Sequence, residues 1–427
     1  MATLEDHPAR YALTGELHAR PFPRLSTRGT AVFLVLRPAG DASDRDRAAD
    51  LAHLRRLLDH YGAPRPDPDA THYHGPLGRY QIKWEQHTEI VTYTIFSDAQ
   101  GDRPFAPAEF DVFPSDWLAE TPGERITSAL IRVVPHPGPA EEVHDALSDW
   151  FVGESLAVAR VLDDAAVIAS DFRIDPAGHL RMAVFASPET GERRIGRIVQ
   201  RLCEIETYKA MSMLGFVELR AAMPQINQLD KRLTELMTGM QGPAQGAEDT
   251  LHALLDVSVA LETLQARLAF RFGATDAYEA IVYQRIGALR EARFMGRQGF
   301  GEFMMRRYEP AMRTVKSTER RLGSMAARAI RTSELLRTRV DVERSAQNQQ
   351  ILASMDRRSD LQLRLQHTVE GLSVVAISYY AVSLATYLLY PLADTLGLAK
   401  GVLTAVITLP VVGLVWLMLR RLRSRLG

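Results

Sequence analysis

LSVVAISYYAVSLATYLLY, residues 372–390, runs for 19 residues without a formal charge, and VLTAVITLPVVGLVWLML, residues 402–419, adds 18 more. As helices each reaches about 27–28 Å, close to the ~30 Å hydrocarbon core of a bilayer. Two such lengths side by side read as a membrane hairpin rather than as a buried soluble pair. Pro410 is tolerable there because neighbouring groups satisfy the freed carbonyl. The connector holds only Asp394 and Lys400 as charges. Arg357, Arg358 and Arg364 precede the first span, and Arg420, Arg421, Arg423 and Arg425 follow the second. The positive-inside rule then puts the N-terminal part and the tail in the cytoplasm and the connector outside.

The rest of the chain is soluble in character, its mean hydropathy slightly negative. At 427 residues, two or three structural units are expected. A net charge of −1 argues against a nucleic-acid binder, which needs a strongly basic face. Cys203, the single cysteine, excludes a disulfide framework and fits a reducing compartment. MATLEDHPAR, at residues 1–10, has acids and a proline where a secretory signal needs an apolar core, so the N-terminal part is expected to stay where it is made.

Residues 1–190 read as an α+β domain. TAVFLVLR (30–37) looks like a buried strand, RAADLAHLRRLLDHYG (47–62) has helical spacing, and RYQIKWEQHTEIVTYTIF (79–96) alternates as one or two strands would. Further strand runs follow at 126–134, 157–164, 165–174 and 180–187, with a helix near 141–151. Residues 191–309 are rich in helix formers and lack strand-type runs. Pro224, QGPAQG (241–246), Gly273, GRQGFG (296–301) and Pro310 are expected to break this part into four or five helices. Residues 310–369 form a long stalk helix with an irregular apolar stripe at Leu322, Met325, Leu336, Val340, Ile351, Met355 and Leu365. Gln347, Asn348 and Gln350 interrupt the stripe as a polar layer, solvated or lining an aqueous path in an oligomer. Residues 370–427 hold the two spans, about 372–390 and 402–419, and the basic tail. In the first span Ser373, Ala376, Tyr380, Ser383 and Tyr387 share one helix face, which either packs against another helix or faces a pore.

No catalytic motif stands out, and the chain is not expected to be an enzyme. There is no phosphate loop, no dinucleotide fingerprint after a strand and no H-E-x-x-H pair. GESLA (153–157) resembles a nucleophile elbow around Ser155, yet it follows a helix rather than a strand. His72 and His74 share one side of an extended segment, with His87, Glu85 and Glu89 near in sequence. Zinc would want three or four ligands fixed together, and cross-strand polar pairing is the simpler account, so no metal is assigned.

The segments HARPF (18–22), WEQHTE (84–89), RIVQRLCEIETYKAMSMLG (197–215), LLRTRVDVE (335–343) and QLRLQHTVEGLSVVAISYY (362–380) make the chain resemble a bacterial family of unknown function, family thirty-four twenty-two. The resemblance covers nearly the whole chain and marks His18, Arg20, Pro21, Trp84, Glu85, His87 and Glu89 as signature residues; it brings no established activity. In a bacterium the membrane would be the inner one. The layout of cytosolic domain, stalk, two spans and basic tail also resembles the CorA magnesium-channel superfamily, which implies a homopentamer around the first span. The Gly-Met-Asn signature of those channels is replaced here by YLLYPL at 387–392. Two functions are therefore expected as alternatives. One is an oligomeric, CorA-like membrane protein that moves or senses a monovalent or divalent cation. The other is a membrane-anchored scaffold or assembly factor presenting a cytosolic domain to a protein partner. No cofactor is assigned under either.

Overall fold

The structure is a computed structural model that describes residues 5–11, 14, 22–38, 45–240, 247–395 and 399–426, the side chains of 393–395 and 422–426 excepted. The described chain forms two compact units, one of residues up to 243 with 252–332, the other of 244–251 with 333–427. Unit one opens with β1 (Gly29–Pro38), α1 (Arg47–His60) and the strands β2 (His72–Leu77), β3 (Tyr80–Gln86) and β4 (Val91–Ser97). It continues with α2 (Ser115–Ala119), β5 (Gly123–Pro135), α3 (Ala140–Trp150), β6 (Ala157–Val161), β7 (Ala166–Ile174) and β8 (Leu180–Ala186). Then come α4 (Glu192–Gly239), α5 (Ala247–Leu289), the short β9 (Ala292–Arg293), α6 (Phe300–Arg307), α7 (Glu309–Thr395) and α8 (Lys400–Leu426).

The strands form one nine-stranded sheet in the order β2-β3-β4-β1-β5-β8-β7-β6-β9. Neighbours pair antiparallel except β5 and β8, which are parallel. Strand, helix and three-strand meander occur twice in succession, and β1 and β5 join the two runs at the centre. Central β1 is apolar on both sides: Val32, Leu34 and Leu36 face one core, and Ala31, Phe33 and Val35 the other. Its sequence is a continuous apolar run because both sheet faces are covered. Leu51, Leu54, Leu57 and Leu58 of α1, with Val143 and Leu147 of α3, cover the first face. Ile195, Ile198, Val199 and Leu202 of α4, with Ile286 of α5 and Phe300 and Met304 of α6, cover the second.

Three expectations change here. Helices lie on both faces of the sheet, so unit one is an α/β sheet domain in which α4 to α6 complete the core. Pro224 lies within the unbroken α4, and Gly273 within α5. Pro224 is exposed between buried Ala222 and Ile226, so water reaches the carbonyl it frees while packing holds the helix on either side. The glycine-rich stretch 296–301 follows β9, which pairs with β6 at the sheet edge. Val158 N–H donates to the Gln298 carbonyl at 2.8 Å. The N–H groups of Phe300 and Gly301 donate to the Glu291 carboxylate at 3.1 and 3.0 Å, starting α6.

Local chemistry places the first layer. The Asp46 carboxylate accepts from Ala48 and Ala49 N–H at 2.9 and 3.1 Å, capping α1. Within α1, His53 is fully buried and stacks on Trp117 at 3.9 Å. Its Nε2 lies 3.1 Å from the Trp117 carbonyl, which only accepts, so Nε2 carries the hydrogen and Nδ1 accepts from the Tyr93 hydroxyl at 3.0 Å. Burial pushes this imidazole down to about 4, against the opposing pull of the Trp117 carbonyl. The unfolded chain takes up this proton near pH 6.5 and the folded chain only near 4. The contribution is therefore complete above pH 6.5 and is lost as pH falls toward 4, by about 3 kcal/mol over the window. In His53→Gln the decline of the thermal midpoint between pH 6.5 and 4.5 is expected to be measurably shallower than in the parent.

In unit two, α7 and α8 are each long and apolar enough, over 309–392 and 400–421, to cross a membrane. Their apolar residues are outward: Leu388 is 77% and Leu409 81% exposed, unlike a soluble core helix. At the other end of this unit Arg344 pairs with Glu248 at 2.6 Å.

Candidate functional site

Strand alternation divides WEQHTE between two sides of the sheet. Ile82 and Trp84 of β3, with Val91, Tyr93 and Ile95 of β4, are buried on the α1 side. Gln86 turns the same way and donates to Asp50 at 3.1 Å, where Asp50 also holds Arg45 in a buried pair at 2.7 Å. Lys83 and Glu85 take the opposite face, in register with Thr94 and Thr92. At this end of the sheet the second face is polar, while toward β1 and β5 it is apolar.

α4 crosses that polar face and presents Gln200, Arg201, Cys203, Glu204, Thr207 and Tyr208, one side of the helix by their spacing. Arg285 of α5 closes the flank, and Phe33 and Phe96 supply an apolar wall. The cavity measures about 300 Å³. Lys83 Nζ is 3.1 Å from Glu85 Oε2, the two side chains being 5% and 15% exposed, yet it has no hydrogen-bond partner among the described residues. Arg285 Nε and Glu204 Oε2 pair at 2.5 Å. Arg201 donates to the Ala288 carbonyl at 2.9 Å. Burial, and after it the Arg197 guanidinium, lowers its proton affinity from the usual arginine value. Burial and then the Glu204 charge push the Cys203 thiol up, so it stays protonated and is no thiolate nucleophile.

A second cavity of about 780 Å³ shares Phe22 and Phe96 with the first and is lined by Arg24, His74, Gln81, Arg193 and Arg197. Burial, followed by the Lys83 ammonium, lowers the His74 imidazole below 6.5.

Buried polar pairs hold this roof in place. Arg271 of α5 reaches Glu89 at 2.5 Å, both side chains nearly inaccessible, and Tyr278 donates to the same carboxylate at 2.8 Å. Glu206 accepts from Thr127 of β5 at 3.0 Å and from Lys209 at 2.6 Å. Where α4 meets α5, a Cβ on Gly215 would lie 2.1 Å from Thr275 Oγ1, so the close approach requires glycine.

The predicted residues distribute as follows. Glu85 and His87 line the cavity, Trp84 packs under α1, and Glu89 anchors α5. His72 and His74 stand opposite Glu85 and Lys83 on β2. Among the described residues no three His, Cys, Asp or Glu side chains gather as a metal-ligand group. Ser155 ends a short 3-10 turn before β6, and its Oγ accepts from Arg173 at 2.8 Å. His18, Arg20 and Pro21 lie outside the described residues. Gln347, Asn348 and Gln350 are exposed on α7. α7 turns Ser378, Val382 and Thr386 toward α8, around a hollow of about 650 Å³ that Ser383 and Tyr387 also line. Ser373, Ala376 and Tyr380 are exposed on α7. No motif or spacing in the sequence marks Lys83, Arg201, Cys203, Glu204 and Arg285 as site residues. The one available signal was the polar alternation QIKWEQ, whose second face only the register with β4 assigns.

The sheet with helices on both faces, its polar cavity, and two C-terminal apolar helices define a two-unit α/β protein. The chain belongs to the family described as "Protein of unknown function (DUF3422)", which matches residues 5–426. No curated protein and no solved structure matches it, and the resemblance to the CorA layout finds no support in these comparisons.

The Glu89–Arg271 pair tests the roof. Glu89→Gln leaves the buried Arg271 guanidinium only the partly exposed Glu218 carboxylate, 3.4 Å away, and is expected to lower stability by about 3 kcal/mol in denaturant titration, whereas Glu89→Leu/Arg271→Met together should cost clearly less.

Proposed function

We propose that this protein is a membrane-anchored, ligand-responsive protein. The apolar hairpin holds it in the bacterial inner membrane, and the α/β unit on the cytoplasmic side takes up a small polar ligand. The cavity beneath α4 carries this reading. It is lined by Lys83, Glu85, Arg201, Glu204 and Arg285, and built where the WEQHTE and RIVQRLCEIETYKAMSMLG segments meet. A fold that needed only stability would fill such a space with apolar side chains, since buried charges cost desolvation. The hairpin reading is supported by the length and outward apolar surface of both helices. Arg357, Arg358 and Arg364 before it, and Arg420 and Arg421 at its far end, favour a cytoplasmic location for both ends.

A second reading, a homo-oligomer with an ion path along α7, has one observation in its favour. Ser373, Ala376 and Tyr380 remain exposed, as do Ile351, Leu352, Met355 and Leu365 on the preceding stretch. A protein-binding scaffold draws on the same exposed stretch of α7.

Cys203 is buried, so single introduced cysteines report topology cleanly. In intact spheroplasts Lys400→Cys is expected to react with a membrane-impermeant maleimide, and Arg421→Cys only after permeabilisation. Reversed labelling would overturn the orientation, and complete extraction of the chain by alkaline carbonate would overturn the anchor. For the second reading, a monomeric mass in detergent would remove the pore.

A further inference from the structure

We propose that the cavity between the β3–β4 face and α4 binds a small soluble oxyanion, a phosphate- or carboxylate-bearing metabolite, with Lys83 as its buried anchor and the arginine-lined outer cavity as its entrance. This rests on reading unit one as the ligand-binding unit and adds the class of ligand.

The argument begins with Lys83. Its side chain is 5% exposed and its Nζ has no hydrogen-bond partner among the described residues. Glu85, 3.1 Å away, balances the charge without meeting hydrogen-bond geometry. A buried ammonium with open donors is costly, and nearly all buried polar atoms find partners. An oxygen acceptor in the cavity supplies what this group lacks, and the surplus arginine charge around it favours an anionic one.

The charge around the cavity points the same way. Lys83, Arg201 and Arg285 line it against Glu85 and Glu204. Each carboxylate already has its own cation, at 3.1 and 2.5 Å, which leaves Arg201 as surplus positive charge bonded to a backbone carbonyl. Among the described residues the outer cavity adds Arg24, Arg193 and Arg197 and no acid. These lie by the first turns of α4, where the helix dipole adds positive potential. Phe22 and Phe96 border both cavities, so an anion drawn to the arginines stands next to the inner space. At about 300 Å³ that space suits phosphate or a short dicarboxylate better than a nucleotide or an extended peptide.

The test uses the full-length protein in detergent, with calorimetric titration and thermal midpoint as readouts. Inorganic phosphate and succinate are the anion probes, and putrescine and glycerol the cationic and neutral ones. Phosphatidylglycerol vesicles test a lipid headgroup as the source of the anion. Saturable binding of phosphate or succinate is expected, with a raised thermal midpoint and weaker affinity as chloride is added. Lys83→Met and, on the opposite wall, Arg201→Gln should each weaken it about tenfold or more, the loss of a buried charge-assisted hydrogen bond. Lys231→Met removes the same charge from an exposed position and should leave it unchanged. Equal loss in Lys231→Met and Lys83→Met would reduce the effect to general charge and overturn the site. Binding of putrescine or glycerol in place of both anions, blocked by Cys203→Phe, would overturn the oxyanion while leaving the ligand-binding reading intact. No binding of any soluble probe, or binding of the vesicles alone, would overturn the soluble-oxyanion proposal. Native mass spectrometry of the purified protein then separates the two readings, because a retained small molecule that Cys203→Phe excludes preserves the ligand-binding function.

Discussion

A nine-stranded sheet with apolar residues on both faces has to be covered twice, and in this protein the second covering depends on α4. The helix is long enough to pass from the apolar middle of the sheet to its polar end. Over β1, β5 and β8 it buries Ile195, Ile198, Val199 and Leu202 against Phe33, Ile131 and Val184. Farther along, the strands beneath present Lys83, Glu85, Thr92 and Thr94, which cannot be packed dry. The helix answers with polar residues of its own, and a cavity remains between the two layers. One rigid element thus produces both the hydrophobic core and the polar chamber.

That chamber is held by interactions outside it. Glu89 and Arg271 tie the β3–β4 turn to α5, Glu206 ties α4 to β5, and Gly215 lets α4 and α5 approach closely. Buried pairs of this kind add little net stability beside an apolar equivalent, but they penalise any arrangement that separates the partners. Their effect here is to fix the roof over the floor and to hold the walls of the cavity at their spacing. Cys203 is a protonated thiol and Ser155 accepts a hydrogen bond from an arginine, so neither is set up as a nucleophile.

Unit two follows a different economy. Its hydroxyl groups are largely satisfied by their own helices: Thr386, Thr404 and Thr408 donate to the carbonyl one turn earlier at 2.8, 3.0 and 2.7 Å. With those donors met internally, the outer surface of α7 and α8 is left to Leu, Val and Tyr side chains.

The apolar hairpin, the long helix before it, most of the strands and the family were legible in the sequence, because each is written in local hydrophobic period, length or contiguous motif. Pro224 and Gly273 misled because punctuation by single residues is weaker than tertiary packing on both sides of them. β9, just before the glycine-rich stretch at 296–301, was not legible, since two residues are too short for any period and form a strand only because β6 offers an edge. WEQHTE was recognisable as a signature, but its division into Trp84 for the core, Glu85 for the cavity and Glu89 for the α5 anchor belongs to the tertiary structure. Sheet register turns alternate residues to opposite faces, and a helix more than a hundred residues downstream decides which of those faces becomes a cavity. Sequence by itself determined which segments are helix, strand and apolar span, since those depend on neighbours in the chain. Only the tertiary structure decided that Lys83, Arg201, Cys203 and Arg285 line one cavity, since that depends on residues far apart in the chain meeting across packed layers.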